Sequence, residues 1–182
     1  MYLTRFTAFL LVSLSVALMP AQAQKYGTQR GTVEFTSRVP LHTFTGTSDY
    51  LSGEIDLENR TVDFFVDLET LRTGIGRRDR DMREALETDD YPFAEFTGRI
   101  LTPFDPEALG AQRVRVQGTF KIHGVSRTIT VSGTLEKTGS QIRMIADWNI
   151  NLRDYNIEPP RLLIVRVNEV QGVHINALLS SR

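Results

Sequence analysis

From Arg113 to Ile122 the chain alternates without a break: Val114, Val116, Gly118, Phe120 and Ile122 fall on one side, and Arg113, Arg115, Gln117, Thr119 and Lys121 on the other. Successive side chains of a β-strand point to opposite faces, so a two-residue period predicts a strand with one face buried and one wetted. The same division separates Val62, Phe64, Val66 and Leu68 from Asp63, Phe65, Asp67 and Glu69, and Ile129, Val131, Gly133 and Leu135 from the threonines and Ser132 between them. Thr32 to Ser37 (Val33 and Phe35 inward), Leu51 to Leu57, Phe93 to Leu101 (Phe96 and Ile100 inward), Gln141 to Ile150 and Glu169 to Leu179 bring the set to about eight strands.

Short turn signals at Glu58-Asn59-Arg60, His123-Gly124-Val125 and Lys137-Thr138-Gly139-Ser140 favour antiparallel neighbours, because parallel pairs need long crossovers. Closing such a sheet removes its exposed edges, and about eight strands leave an interior that side chains or one small ligand can fill. The rival arrangement is an open two-layer sandwich. Gly98, Gly118 and Gly133 fall in register with the apolar face, where glycine relieves crowding at a tight bend or opens room for a guest.

One segment breaks the strand rhythm. Between Arg77 and Glu87, Met82, Ala85 and Leu86 stand at the i, i+3 and i+4 spacing of a short amphipathic helix, with Asp79–Arg83, Arg80–Glu84 and Arg83–Glu87 four apart as candidate ion pairs. A helix placed between strands lies over a barrel mouth or packs on the wall. Asp154 to Arg161, with Pro159-Pro160, reads as an extended loop.

The N-terminus has a different character. Arg5 precedes an apolar run from Phe6 to Met19, then Pro20 and Ala21-Gln22-Ala23, the pattern of a secretory signal peptide over residues 1–23. Cleavage there leaves a domain of residues 24–182. The apolar run is shorter than the roughly 20 residues that span a bilayer. The chain has no cysteine, so neither disulfides nor a lipid-modified cysteine enters, and a domain of this size can bury enough surface to fold without covalent staples. The expected location is the periplasm, with the extracellular space as second choice. Lys plus Arg (21) nearly balance Asp plus Glu (22), so nothing global draws the chain to nucleic acid.

Candidate chemistry is sparse. His42, His123 and His174 have no short ligand spacing, and no metal site is expected. Gly74-Ile75-Gly76 lacks the third glycine of a phosphate loop and reads as a flexible lead-in to the helix. Arg72, Arg77, Arg78, Arg80 and Arg83 are offset by Asp79, Asp81, Glu84, Glu87, Asp89 and Asp90, which makes a salt-bridged surface helix, with one or two arginines in reach of a lipid headgroup. Asp89-Asp90 belongs to a turn, as does the Asn59-Arg60-Thr61 sequon, and no G-x-S-x-G elbow is present.

Several motifs, in order, resemble the YceI-like family of exported lipid- and polyisoprenoid-binding barrels. They are Val33-Glu34-Phe35-Thr36-Ser37 through Phe44-Thr45-Gly46, then Gly53-Glu54-Ile55-Asp56, then Thr73-Gly74 through Arg78-Asp79-Arg80-Asp81-Met82-Arg83. Leu86-Glu87-Thr88-Asp89-Asp90-Tyr91-Pro92, Phe96-Thr97-Gly98, Phe120-Lys121-Ile122-His123-Gly124-Val125-Ser126-Arg127 and Asp154-Tyr155-Asn156-Ile157 follow. The resemblance implies an all-β, eight-stranded antiparallel lipocalin-like barrel with one short helix, an elongated apolar pore for an isoprenoid or fatty-acyl chain, and no cofactor. Many members carry histidine where this chain has Asp81, so a headgroup role for that histidine does not carry over.

The expected function is therefore to bind a polyisoprenoid, isoprenoid quinone or other long-chain lipid for carriage or storage, not to act as an enzyme. Ligand-facing candidates are Val33, Phe35, Phe44, Phe64, Val66, Phe96, Phe120, Ile122, Met144 and Trp148, with Met82, Leu86 and Phe93 as an apolar gate. Three rival readings compete with the carrier: an enzyme acting on a bound lipid through Ser37, His42 and Tyr155, a packed, ligandless interaction barrel, and an outer-membrane barrel. Transient membrane contact fits the carrier reading, and the sequence is compatible with a monomer or a homodimer.

Overall fold

The alternating segments pair edge to edge until the last meets the first. The computed structural model describes residues 25–39, 42–159, 161–162 and 165–182, and the expected signal peptide over 1–23 lies outside them. The strands are β1 (Lys25–Val39), β2 (His42–Asp56), β3 (Thr61–Asp67), β4 (Phe93–Ile100), β5 (Gln112–Ile122), β6 (Val125–Thr138), β7 (Gln141–Asn151), β8 (Arg161–Leu162), β9 (Val165–Arg166) and β10 (Val170–Ser181), with one α-helix, α1 (Gly76–Leu86). Eight of them close into an antiparallel barrel in the order β1-β10-β7-β6-β5-β4-β3-β2, which rules out the open sandwich. β8 and β9 form a separate two-stranded pair within the β7–β10 connection.

Parity follows the sequence. Val114, Phe120 and Ile122 of β5 are buried while Arg113, Arg115, Gln117, Thr119 and Lys121 are exposed, and β3 shows the same division. A barrel spanning a membrane needs an apolar outer band, and a wall studded with arginine, lysine and threonine cannot supply one. Among the described residues, no helix is long and apolar enough to cross a membrane.

The two poles differ. One gathers the long β3–β4 connection with α1, the β7–β10 connection and the tight His123-Gly124 turn; the other holds the β2–β3 and β6–β7 turns and the 101–111 loop. His123 and Gly124 both have positive φ (53° and 72°), as a two-residue primed hairpin turn requires. At the second pole Tyr26, Val114, Ile142, Ala177 and Leu179 pack solidly, Ile142 and Leu179 being completely buried.

Gly98 and Gly118 face each other across β4 and β5. A Cβ on Gly118 would stand 2.2 Å from the Thr97 carbonyl oxygen and 2.6 Å from Gly98 Cα, so these glycines permit close approach of two strands. Of the two roles expected for them, relief of crowding is the one they serve; neither lines the cavity.

Two local expectations are corrected. Asp154 to Arg161 is not simply a loop: a 3-10 turn, Leu152–Tyr155, ends at Asn156 in the left-handed region (φ 58°), before β8 begins at Arg161. Within α1 the ion pair formed is Arg77–Asp81 at 4.0 Å, whereas Asp79 turns inward and is buried.

Candidate ligand cavity

Between the packed pole and α1 the barrel encloses a cavity of about 220 Å³. Its deep part is walled by Ile55, Ile100, Val116, Val131, Leu135 and Met144. An aromatic belt follows, in which Phe64, Phe96 and Phe120 are successive cross-strand partners on β3, β4 and β5. Phe120 meets Trp148 edge-on at 6.0 Å and Tyr155 at 5.6 Å, ring separations at which aromatic pairs attract. Across the barrel, Phe35 lies over its β2 partner Gly46, where a Cβ would come within 2.2 Å of the ring.

The roof is α1. Met82, Ala85 and Leu86 face the cavity, and the Arg78 guanidinium sits 4.2 Å above the Phe44 ring, which in turn stands edge-on to Phe35 at 6.3 Å. A cation over an aromatic face is attracted by the ring quadrupole, so Arg78 ties the helix to β2. The roof is completed by Leu152, Ile157 and Val167 from the β7–β10 connection.

Asp79 anchors the start of the helix. Its carboxylate accepts the Thr73 amide at 2.8 Å and the Thr73 hydroxyl at 2.5 Å. Burial pushes the carboxyl pKa up, but the two Thr73 bonds, with Arg72 and Arg83 nearby, outweigh it and hold the value below the usual carboxylate range. A depressed pKa stabilises the fold above the unfolded value and loses that contribution as pH falls through the folded one. The protection of the α1 amides against exchange, taken relative to the unfolded chain at the same pH, is therefore expected to fall below about pH 4. Asp79→Ala, which strands the Thr73 donors, is expected to cost about 1.5–3 kcal/mol in denaturant unfolding and to remove that acid dependence.

The helix end is tied down too. Glu87 closes α1 in the left-handed conformation (φ 48°), and its carboxylate lies 3.3 Å from His123 Nε2 without the alignment of a hydrogen bond. His123 Nδ1 is 3.1 Å from the Tyr155 carbonyl oxygen and its ring packs against Tyr91. One histidine thus touches the helix end, the β4 approach and the β7–β10 connection. The phenol of Tyr155 is pushed up in pKa by burial, reinforced by Asp154 and opposed by Arg127.

A family model for the YceI-like domain matches residues 25–177. The chain belongs to the YceI-like family. Among solved structures similar to this YceI-like barrel is a polyisoprenoid binding domain from Saccharophagus degradans implicated in plant cell wall breakdown, with a TM-score of 0.75 at 22% identity over 88% of this chain and 100% of that one. Burkholderia cenocepacia BcnA matches with a TM-score of 0.69 at 16% identity, over 83% of this chain and 96% of its own. A Campylobacter jejuni YCEI protein matches with 0.57 at 11% identity, over 98% and 94%. At these identities the likeness shows a common fold. No curated protein matches the chain.

Of the ligand-facing candidates in this YceI-like barrel, Val33, Phe35, Phe44, Phe64, Val66 and Phe96 line the cavity, as do Met82, Leu86, Phe120, Ile122, Met144 and Trp148. Phe93 does not. It begins β4 one residue before the buried Ala94, so parity turns it outward; it is 42% exposed and packs edge-on against Phe65 at 5.8 Å on the outer wall. Of the three gate candidates, Met82 and Leu86 lie on the helical roof and Phe93 does not.

The lining of the YceI-like barrel also includes residues beyond those candidates. Ile175, Val173 and Ala146 follow from the two-residue period. Leu152, Ile157 and Val167 sit in non-periodic chain and carry no such signal. Ser37 and Tyr155, the enzyme candidates, do not form a catalytic pair: among the described residues Ser37 Oγ has no hydrogen-bond partner and so no base set against it, and the Tyr155 ring is packed on Phe120. The side chain of His42 lies outside the described residues. His174 pairs with Asp147 at 2.7 Å, and among the described residues no group of three His, Asp or Glu could hold a metal.

Proposed function

We propose that this protein binds a long-chain apolar or amphiphilic ligand, of polyisoprenoid, isoprenoid quinone or fatty-acyl type, inside the barrel and holds it for carriage or storage in the periplasm. The observation that carries the reading is the one-ended cavity: the same inward register is filled solidly at one pole and left hollow, with an almost wholly apolar wall, beneath a helical roof. The N-terminal apolar run supports export, and the name of the Saccharophagus degradans neighbour supports the polyisoprenoid class.

The energetics suit a chain and need no special bond. Each methylene moved from water into such a lining contributes about 0.8 kcal/mol, so one isoprene unit offers roughly 3 to 4 kcal/mol before ordering and association costs. A dry cavity of about 150 Å³ accepts benzene. The space here, about 220 Å³ in the closed barrel, takes the leading part of a tail, and the remainder is admitted as α1 and the aromatic belt give way. Selectivity then rests on the length and width of the hollow.

The test is organic extraction of the purified, exported protein followed by mass spectrometry. The expected result is a long-chain amphiphile in near-stoichiometric amount. Repeated recovery of an empty barrel that also refuses added isoprenoids would overturn the reading.

A further inference from the structure

Gly74-Ile75-Gly76 stands at the edge of the roof, and the cavity does not explain it. Ile75 is 50% exposed. Beyond its chain neighbours, neither flanking glycine has an atom within 4 Å of the place a Cβ would occupy, so the isoleucine is set in open space. One exposed isoleucine is ordinary, but its position is not. Ile75 holds the cap position of α1 and makes no side-chain bond to the first helical amides. Serine, threonine, aspartate and asparagine serve there, and isoleucine is among the poorest choices. A residue that breaks a local rule without a packing gain points to a demand from outside the fold.

Charge gathers around the same point. Residues 72–80 include four arginines and one acid, Asp79. That acid is buried and turned to Thr73, whereas Arg72, Arg77 and Arg80 are exposed, Arg77 over 80% of its side chain. Asp81 is half-buried and lies 4.0 Å from Arg77, so it offsets one of them. Glu84, Glu87, Asp89 and Asp90 fall toward or beyond the other end of α1. The 72–80 edge is thus an apolar tip ringed by positive charge. None of Ile75, Arg77 and Arg80 borders the cavity, so a bound chain does not account for them. A folded protein partner needs on the order of 800 Å² of contact, far more than one isoleucine and three arginines offer. An anionic bilayer is complementary: the apolar side chain enters the headgroup layer, and the guanidinium groups stay with the phosphates.

We infer that the 72–80 edge of the roof docks on an anionic phospholipid bilayer, with Ile75 inserted and Arg77 and Arg80 on the phosphates, and that cargo passes between cavity and membrane from this position. The inference rests on the cargo reading above and adds the surface across which exchange occurs. It also gives the docked molecule a tilt, since the acidic end of α1 is repelled from the same membrane.

The test is co-sedimentation of the purified, exported protein with vesicles of phosphatidylcholine alone and of phosphatidylcholine mixed equally with phosphatidylglycerol. Retention is expected on the mixed vesicles, weakly on the neutral ones, and less as salt rises. Arg77→Gln combined with Arg80→Gln should lower the partition coefficient by about fivefold for each charge removed, and Ile75→Ser by about tenfold. Ile75→Ser also supplies the missing helix cap, so its melting temperature should hold or rise while its affinity for a fluorescent fatty-chain reporter equals that of the wild type. Transfer of that reporter to mixed vesicles should accelerate with vesicle concentration in the wild type and lose this dependence in both variants. Absence of retention, equal retention on neutral and anionic vesicles, or full retention by the variants each overturns the inference while the barrel remains a lipid binder. A reporter that never enters the barrel overturns the cargo reading instead, and vesicle retention lost in Ile75→Ser would still support the docking surface.

Discussion

Ala94→Trp is expected to weaken chain-lipid binding on the order of a hundredfold while leaving the barrel folded, and to raise its melting temperature. Ala94 is a small residue in the cavity wall, paired with Val66 across β3 and β4 and facing the space beneath α1. A tryptophan there occupies the volume that the first carbons of a tail would take. Excluding even three or four methylenes at about 0.8 kcal/mol each weakens binding on the order of a hundredfold. The new ring meanwhile buries apolar surface in a pre-existing void, which displaces no packed neighbour. Reporter titration and thermal unfolding measure the two effects separately. A variant that retains full affinity would place the ligand elsewhere on the molecule.

The second large effect concerns the opposite pole. Ile142 and Met144 are neighbours on the inward face of β7, yet Ile142 is completely buried in the packed end and Met144 borders the hollow. Ile142→Ala should cost about 3–5 kcal/mol, because it opens a new cavity among side chains that cannot close over it. At this chain length that loss is a fall in melting temperature of roughly 8–15 °C. Met144→Ala should cost nearer 2 kcal/mol or less, since one side of that residue already lacks partner atoms. Equal losses at the two positions would mean that the barrel is uniformly packed.

The strands of this protein announce themselves where residues alternate in size and polarity. Val114 to Ile122 and Val62 to Val66 are legible for that reason, and so is the helix, whose apolar stripe Met82, Ala85 and Leu86 becomes the roof. The first part of β2 is not. Its inward positions after Phe44 are Gly46 and Ser48, too small or too polar to mark a period, so only Leu51 onward reads as strand although the element begins at His42. The start of β1 is silent for a similar reason: Lys25 to Gly31 is nearly all polar or glycine, and it carries a register shift.

The site divides along the same line. Wall residues can be placed by parity, and Phe93 misleads because it follows the helix closely in sequence while its parity along β4 points it outward. Asp79 illustrates the limit of local charge patterns, since a carboxylate spaced for Arg83 is recruited by Thr73 instead. Whether the interior is hollow is invisible to periodicity, because a side chain pointing inward has the same period whether it meets another side chain or empty space.

The sealed pole carries a directional consequence. A scabbard with one opening cannot serve as a conduit, so a molecule drawn in by its tail must withdraw by the same route with its polar end leading. Donor and acceptor would then meet the protein at the same tip, in turn, and an encounter with either would have to displace the same helix.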